Sequence, residues 1–145
     1  MNRPLVRTSF AALALSAFLG ACFSDDTMGP TEGPVSFADD IQPIFSGSCA
    51  FSGCHGTSAN PASKPMMLSA GEAYDNIVEV TAAELPSMFR ITPGSPDESY
   101  LIHKIQGTQS DVGGAGARMP RGGSPLSQAT IDLIRRWVVE GANRN

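Results

Sequence analysis

Apolar residues recur at helical spacing near the end of the chain. Between positions 127 and 140, the apolar residues form one stripe: Ile131, Leu133, Ile134, Trp137 and Val138. Charged residues occupy the opposite side, as in an amphipathic helix that packs on a core. Ser127 is a favourable N-cap residue and Gly141 follows the last turn, so we predict a helix from Ser127 to Glu140.

Three shorter segments have the same spacing. One follows Ser36, a potential N-cap with Asp39 three positions later, and a second follows the Ser69–Glu72 pair, which has the form of a capping box. A third covers positions 97–106 and ends at Gly107, a residue suited to a helix C-cap. No segment shows the alternation that is typical of a strand. The pattern therefore predicts a small all-α domain of about four short helices with long connecting loops.

The first 21 residues have the composition of an export signal. Arg3 and Arg7 precede an apolar run over positions 10–21, which is shorter than the about 20 residues that span a bilayer. The run ends in LGAC at positions 19–22, which resembles the lipobox of bacterial lipoproteins. We therefore expect residues 1–21 to be a lipoprotein signal peptide and Cys22 to carry lipid. The alternative is an ordinary signal peptide cleaved near Ala21.

Residues 22–35 are polar and rich in glycine and proline after the cysteine. This composition is typical of a flexible linker without a core of its own. We expect a tether over 22–35 and one folded domain over 36–145.

The segment CAFSGCH at positions 49–55 is the candidate for chemistry. Two cysteines with a histidine directly after the second are the arrangement for covalent haem attachment, usually as C-x-x-C-H. Here the spacing is C-x₄-C-H. Cys49 and Cys54 are thus candidates for the thioether bonds, and His55 for the proximal iron ligand. The alternative is a Cys49–Cys54 disulfide, which is common in exported proteins but leaves His55 unexplained.

A second iron ligand is expected in the glycine-rich segment at 112–123. Met119 lies there, in a segment without helical periodicity, and a thioether is a common partner of histidine on haem iron. His103 is the other candidate, although it lies in a predicted helix. The remaining methionines of the domain are expected to pack against the haem edge or the core: Met66, Met67 and Met88.

Three further side chains are candidates for contact with haem propionates. Arg118 and Arg121 flank Met119, and guanidinium groups suit carboxylates; the alternative is two solvated loop arginines. Trp137 could donate its indole N–H, but we favour a role in packing the last helix against the first.

The composition narrows the class of protein. The chain has 14 acidic and 10 basic residues and a formal charge of −4, which argues against binding to nucleic acid and is compatible with basic partner proteins. Only 7% of the residues are aromatic. A buried macrocycle would supply apolar surface to a core that has few aromatic side chains.

Five motifs occur in the order that is known from one family: FADDIQPIFSGSCAFSGCHG, MMLSAGEAYDNIV, ITPGSPDESYLIHKIQG, ARMP and PLSQATIDLIRRWVVEGA. Over positions 37–142 the chain resembles the monohaem c-type cytochromes with a planctomycete-type cytochrome c domain. The resemblance implies a small all-α fold around one covalent haem c. It implies that Cys49 and Cys54 hold the haem, with His55 as proximal and Met119 as distal ligand. The C-x₄-C spacing departs from the family, in which two intervening residues are more usual.

With both axial positions occupied, small molecules have no easy route to the iron. We therefore expect an electron carrier and not an enzyme, with redox proteins as partners and no nucleic acid. The expected location is the periplasmic face of the cell envelope, anchored through lipid on Cys22; the sequence does not decide between inner and outer membrane. The alternatives are a haem enzyme or gas-sensing module with a labile sixth ligand, or a non-haem interaction lipoprotein with a Cys49–Cys54 disulfide.

Overall fold

The computed structural model describes residues 33–56 and 66–145. The expected signal peptide, Cys22 and most of the tether lie outside these residues. Within them, no helix is long and apolar enough to cross a membrane. The elements follow in the order Phe37–Ile41 (a π-helical turn), α1 (Gln42–Ser48), α2 (Ala73–Ile77), β1 (Thr81–Ala82), β2 (Leu85–Phe89), Pro96–Glu98 (a 3₁₀ turn), α3 (Tyr100–Gln106) and α4 (Gln128–Val139).

The prediction of an all-α fold is wrong, because β1 and β2 form an antiparallel hairpin. Thr81 pairs with Phe89 and Ala82 with Leu85, with an irregular register between the two pairs. The described residues form a small mixed α/β domain, about 38% helical and 10% strand. No side chain of β2 is fully buried, so the strand lacks the alternation of apolar and polar residues on which sequence-based recognition of strands depends.

The first helical segment confirms the predicted cap. The Ser36 hydroxyl accepts a hydrogen bond from the Asp39 N–H at 3.1 Å. Pro43 lies in the first turn of α1, where its missing N–H removes no helical hydrogen bond. Ile44 packs half-buried against the core, and three apolar side chains of this segment are buried in it: Phe37, Ile41 and Phe45.

Helix α4 closes the core as the sequence predicts. Its N-cap residue Ser127 accepts a hydrogen bond from the Thr130 N–H at 3.1 Å. Trp137 is fully buried, and its ring centroid lies 5.3 Å from that of Phe37. The indole N–H donates to the carbonyl of Asn143 at 3.0 Å. Trp137 therefore packs the last helix against the first helical turn, which confirms the favoured interpretation.

The two middle helices are shorter than the sequence indicates. Helix α2 begins after Glu72, and no side chain caps it. The predicted capping box is wrong, because the N–H groups of Glu72 and Ala73 bond to the main-chain oxygen of Ser69 instead of its hydroxyl. Helix α3 is preceded by a separate 3₁₀ turn and ends at Gly107, whose φ of 84° confirms the predicted C-cap.

Two serines provide a matched test of this capping pattern. Ser127→Ala should lower the free energy of unfolding by about 1 kcal/mol, because it removes a side-chain cap from α4. Ser69→Ala should change the free energy of unfolding by less than about 0.5 kcal/mol, since no cap is lost there. Urea denaturation followed by circular dichroism measures both values. Equal losses in the two variants would contradict the assignment of the caps.

Candidate haem-binding site

The domain contains a cavity of about 740 Å³, a size typical of ligand and cofactor sites. It shares several apolar residues with the hydrophobic core: Phe45, Leu68, Leu101 and Ile105. The four side chains that the sequence predicts to hold a haem all line this cavity: Cys49, Cys54, His55 and Met119. The structure thus brings the two predicted parts of the site together.

The segment after α1 folds into a compact turn. The His55 N–H donates to the carbonyl of Cys49 at 3.1 Å, and the N–H groups of Cys54 and Gly56 donate to that of Phe51 at 3.0 and 3.1 Å. A Cβ atom on Gly56 would lie 2.8 Å from the Phe51 oxygen, so this turn requires glycine. The longer C-x₄-C spacing is accommodated within the turn. Cys49 and Cys54 carry free thiols there.

The imidazole of His55 is buried, and one of its two nitrogens is hydrogen-bonded to the main chain. The side chain is 9% exposed, and Nδ1 lies 3.0 Å from the carbonyl oxygen of Met66. A carbonyl oxygen only accepts, so Nδ1 carries the proton and Nε2 keeps its lone pair. Burial lowers the pKa of His55 from 6.5, which favours the neutral ring. Histidines that bind metals typically have such a second partner on the other nitrogen.

Met119 is held by the main chain of α3. Its N–H donates to the carbonyl oxygen of Lys104 at 2.8 Å, and its side chain is half-buried on the cavity wall. Met66 also lines the cavity and packs against the core, whereas Met67 and Met88 do not line it. Among the methionines of residues 33–56 and 66–145, Met119 and Met66 therefore provide the thioethers at the cavity.

His103 is engaged elsewhere. Its Nδ1 lies 2.9 Å from the Thr108 hydroxyl oxygen and its Nε2 lies 3.0 Å from the carbonyl oxygen of Asp97. It does not line the cavity. With both ring nitrogens hydrogen-bonded, His103 has no lone pair for a metal in this arrangement.

The predicted arginines divide between the cavity and the surface of α3. Arg121 lines the cavity, whereas the aliphatic part of Arg118 packs beside Gly107. Arg90, directly after β2, is a cavity residue that sequence reasoning missed. Its guanidinium donates to the carbonyl of Asn76 at 2.6 Å. Burial lowers the pKa of Arg90 from its ordinary value, but guanidinium groups stay charged in proteins. The cavity wall therefore includes cations suited to carboxylates.

An ion pair in the cavity wall was also not predicted. Lys104 Nζ in α3 lies 2.7 Å from Oε2 of Glu84, in the turn between β1 and β2. The Tyr100 hydroxyl lies 3.3 Å from the same carboxylate oxygen. All three residues line the cavity. No local motif marks them, because residues on a hairpin turn and a helix meet only through the tertiary fold.

The side-chain donors at the cavity differ from the clustered ligands of a zinc centre. In the described part of the chain, no group of three or more His, Cys, Asp or Glu side chains forms a metal site, which is what a zinc centre would need. One imidazole with one thioether is instead a pairing found on haem iron, where the porphyrin supplies the other ligands.

Comparison of the chain with protein-family models, with curated proteins and with solved structures gives no match. The assignment of the site therefore depends on the motifs and on the geometry of the cavity.

The two cysteines of the haem-free protein should differ in reactivity. Burial, with a smaller contribution from the nearby Cys54, raises the pKa of the Cys49 thiol to about 11, while Cys54 is exposed. At pH 8 only about one Cys49 thiol in a thousand is then the reactive thiolate. Iodoacetamide should modify Cys54 first, and Cys49 should react about tenfold faster for each pH unit up to near pH 11.

Peptide mass mapping of the alkylated protein over time measures both rates. Denaturant is the control, since unfolding exposes both thiols and should make their rates similar. Equal rates in the folded protein would show that Cys49 is not protected as the structure indicates.

Proposed function

We propose that this protein is an electron carrier with one covalently bound haem c. Cys49 and Cys54 supply the thioether bonds, and His55 and Met119 are the axial ligands. One observation carries the proposal: the CAFSGCH turn and Met119 come from distant parts of the chain, yet their four side chains line one cavity.

The residues around the cavity fit a haem. Apolar side chains of α1 and α3 form walls suited to the faces of a macrocycle, and Arg90 and Arg121 offer positive charge for its carboxylates. The hydrogen bond from Nδ1 of His55 to Met66 leaves Nε2 as the nitrogen that can bind iron. This donor set supports haem in preference to a smaller cofactor.

When bound, the haem supplies one-electron exchange at its iron. His55 would bind the iron through its fixed ring, and Met119 would supply a second ligand that keeps small molecules away from the metal. The neutral thioether favours ferrous over ferric iron and so raises the reduction potential. These roles are those of an electron carrier, in which the protein does no chemistry on a bound substrate.

The proposed setting follows from the sequence. Lipid on Cys22 would anchor the domain at the periplasmic face of a membrane, with residues 22–35 as the tether. The acidic chain, with a formal charge of −4, suits redox partners with a basic docking face.

Met119→Ala provides the test of this function in protein produced with haem-maturation genes. The wild type should show a reduced-minus-oxidised haem spectrum and a far-red charge-transfer band in the ferric state. The variant should keep the haem but lose that band, show a lower midpoint potential and bind carbon monoxide rapidly when reduced, because the thioether is gone.

Met88→Ala is the matched control, since Met88 does not line the cavity and its removal should leave the spectrum unchanged. Rapid carbon monoxide binding by the reduced wild type would favour the haem enzyme or gas-sensing module. A colourless wild type would contradict haem binding altogether.

A further inference from the structure

We propose that the ion pair of Glu84 and Lys104, together with Tyr100, is a positioning device for Met119. The three side chains hold the glycine-rich segment at 114–119 against α3 and thereby fix the methionine sulfur at the cavity. The inference rests on the proposed function, in which Met119 is an iron ligand. We call these three residues the clamp.

The clamp binds both main-chain polar groups of one residue in the segment, Ala115. The carbonyl oxygen of Ala115 accepts hydrogen bonds from Lys104 Nζ at 3.1 Å and from the Tyr100 hydroxyl at 3.0 Å. The N–H of Ala115 donates to the same hydroxyl at 3.1 Å. The Ala115 main chain is thus fixed from two sides by side chains of α3.

The segment is fastened again at its far end. The carbonyl oxygen of Lys104 accepts the Met119 N–H at 2.8 Å, so one residue holds Ala115 with its side chain and Met119 with its main chain. Between them, the carbonyl oxygen of Gly116 accepts from the Gln109 side chain at 3.0 Å. Loss of the Lys104 side chain would therefore remove one of the hydrogen bonds that hold Ala115, four residues before Met119.

Close packing leaves the segment little freedom. A Cβ atom on Gly114 would lie 2.4 Å from Cε2 of Tyr100, and one on Gly116 would lie 2.7 Å from Oε1 of Glu84. Gly116 also has a φ of +78°, which favours glycine. The main chain lies directly on the clamp, so the glycines are required by contact.

The burial of the ion pair argues for a geometric role. The Lys104 side chain is 9% exposed and that of Glu84 is 24% exposed. Removing charges from water offsets much of their attraction, so a buried pair is weak evidence for stability and is better explained by the arrangement it imposes. The ion pair of Arg144 and Asp75, whose side chains are 56% and 62% exposed, is a surface pair for comparison.

Glu84→Gln in the haem-loaded protein separates positioning from simple electrostatics. Loss of a negative charge beside the haem would by itself destabilise the ferric state, which carries the greater positive charge. The midpoint potential would then rise. Loss of the clamp instead weakens thioether ligation and lowers that potential. We expect a lower potential, loss of the far-red charge-transfer band and faster carbon monoxide binding. Asp75→Asn, at the surface pair, should change none of these.

Two further variants keep the test valid if a single charge left unpaired prevents folding. Glu84→Gln combined with Lys104→Leu removes both charges without changing the net charge, and should fold but lose the band. Gly114→Ala pushes the segment off Tyr100 without touching a charge, and should also lose the band. Its control is Gly47→Ala, because an added Cβ there meets nothing within 4 Å.

The outcomes distinguish this inference from the proposed function. The clamp is overturned if the far-red band and the midpoint potential stay at their wild-type values in Glu84→Gln, in the double variant with Lys104→Leu and in Gly114→Ala. That result leaves Met119 ligation standing. A higher potential with an intact band in Glu84→Gln also overturns it, since that result is electrostatic only. A wild type with haem but without the band overturns both.

Discussion

The hydrogen bond between Nδ1 of His55 and the carbonyl oxygen of Met66 is the contact on which the site depends. It sets the tautomer of the ring, so that Nε2 is the nitrogen left for a metal. The main chain reinforces it, because the Leu68 N–H donates to the carbonyl of His55 at 2.8 Å. Gln42 of α1 in turn donates to the carbonyl of Leu68 at 3.0 Å. The imidazole is therefore fixed to the first helix as well as to its own turn.

The helices were predictable where the signal is local. Ser36 and Ser127 cap the segments that follow them, and Gly107 ends α3 in the left-handed conformation. The hairpin was not predictable, because β2 buries no side chain fully and its strands form through main-chain pairing. Ser69 shows the limit of a motif: the spacing suits a capping box, but a main-chain turn satisfies the same N–H groups.

The candidate site was likewise predictable only where its residues belong to a local sequence motif. The CAFSGCH motif is contiguous, and Met119 is marked by a glycine-rich segment without periodicity, so both could be found in the sequence. Arg90, Glu84 and Lys104 could not, because they reach the cavity only when the hairpin packs beside α3. The proposed covalent attachment would explain why the motif carries so much information. Such attachment needs thiols and a proximal ligand that are neighbours in the chain, whereas residues that position the group need only be neighbours in space.

The mass of the peptide that contains Cys49 and Cys54, from mature protein produced with haem-maturation genes, tests the central claim most directly. The account predicts a peptide heavier by the mass of one haem, which survives denaturation because two thioether bonds hold it. A peptide with two free thiols, or one lighter by a pair of hydrogen atoms as in a Cys49–Cys54 disulfide, would contradict the account.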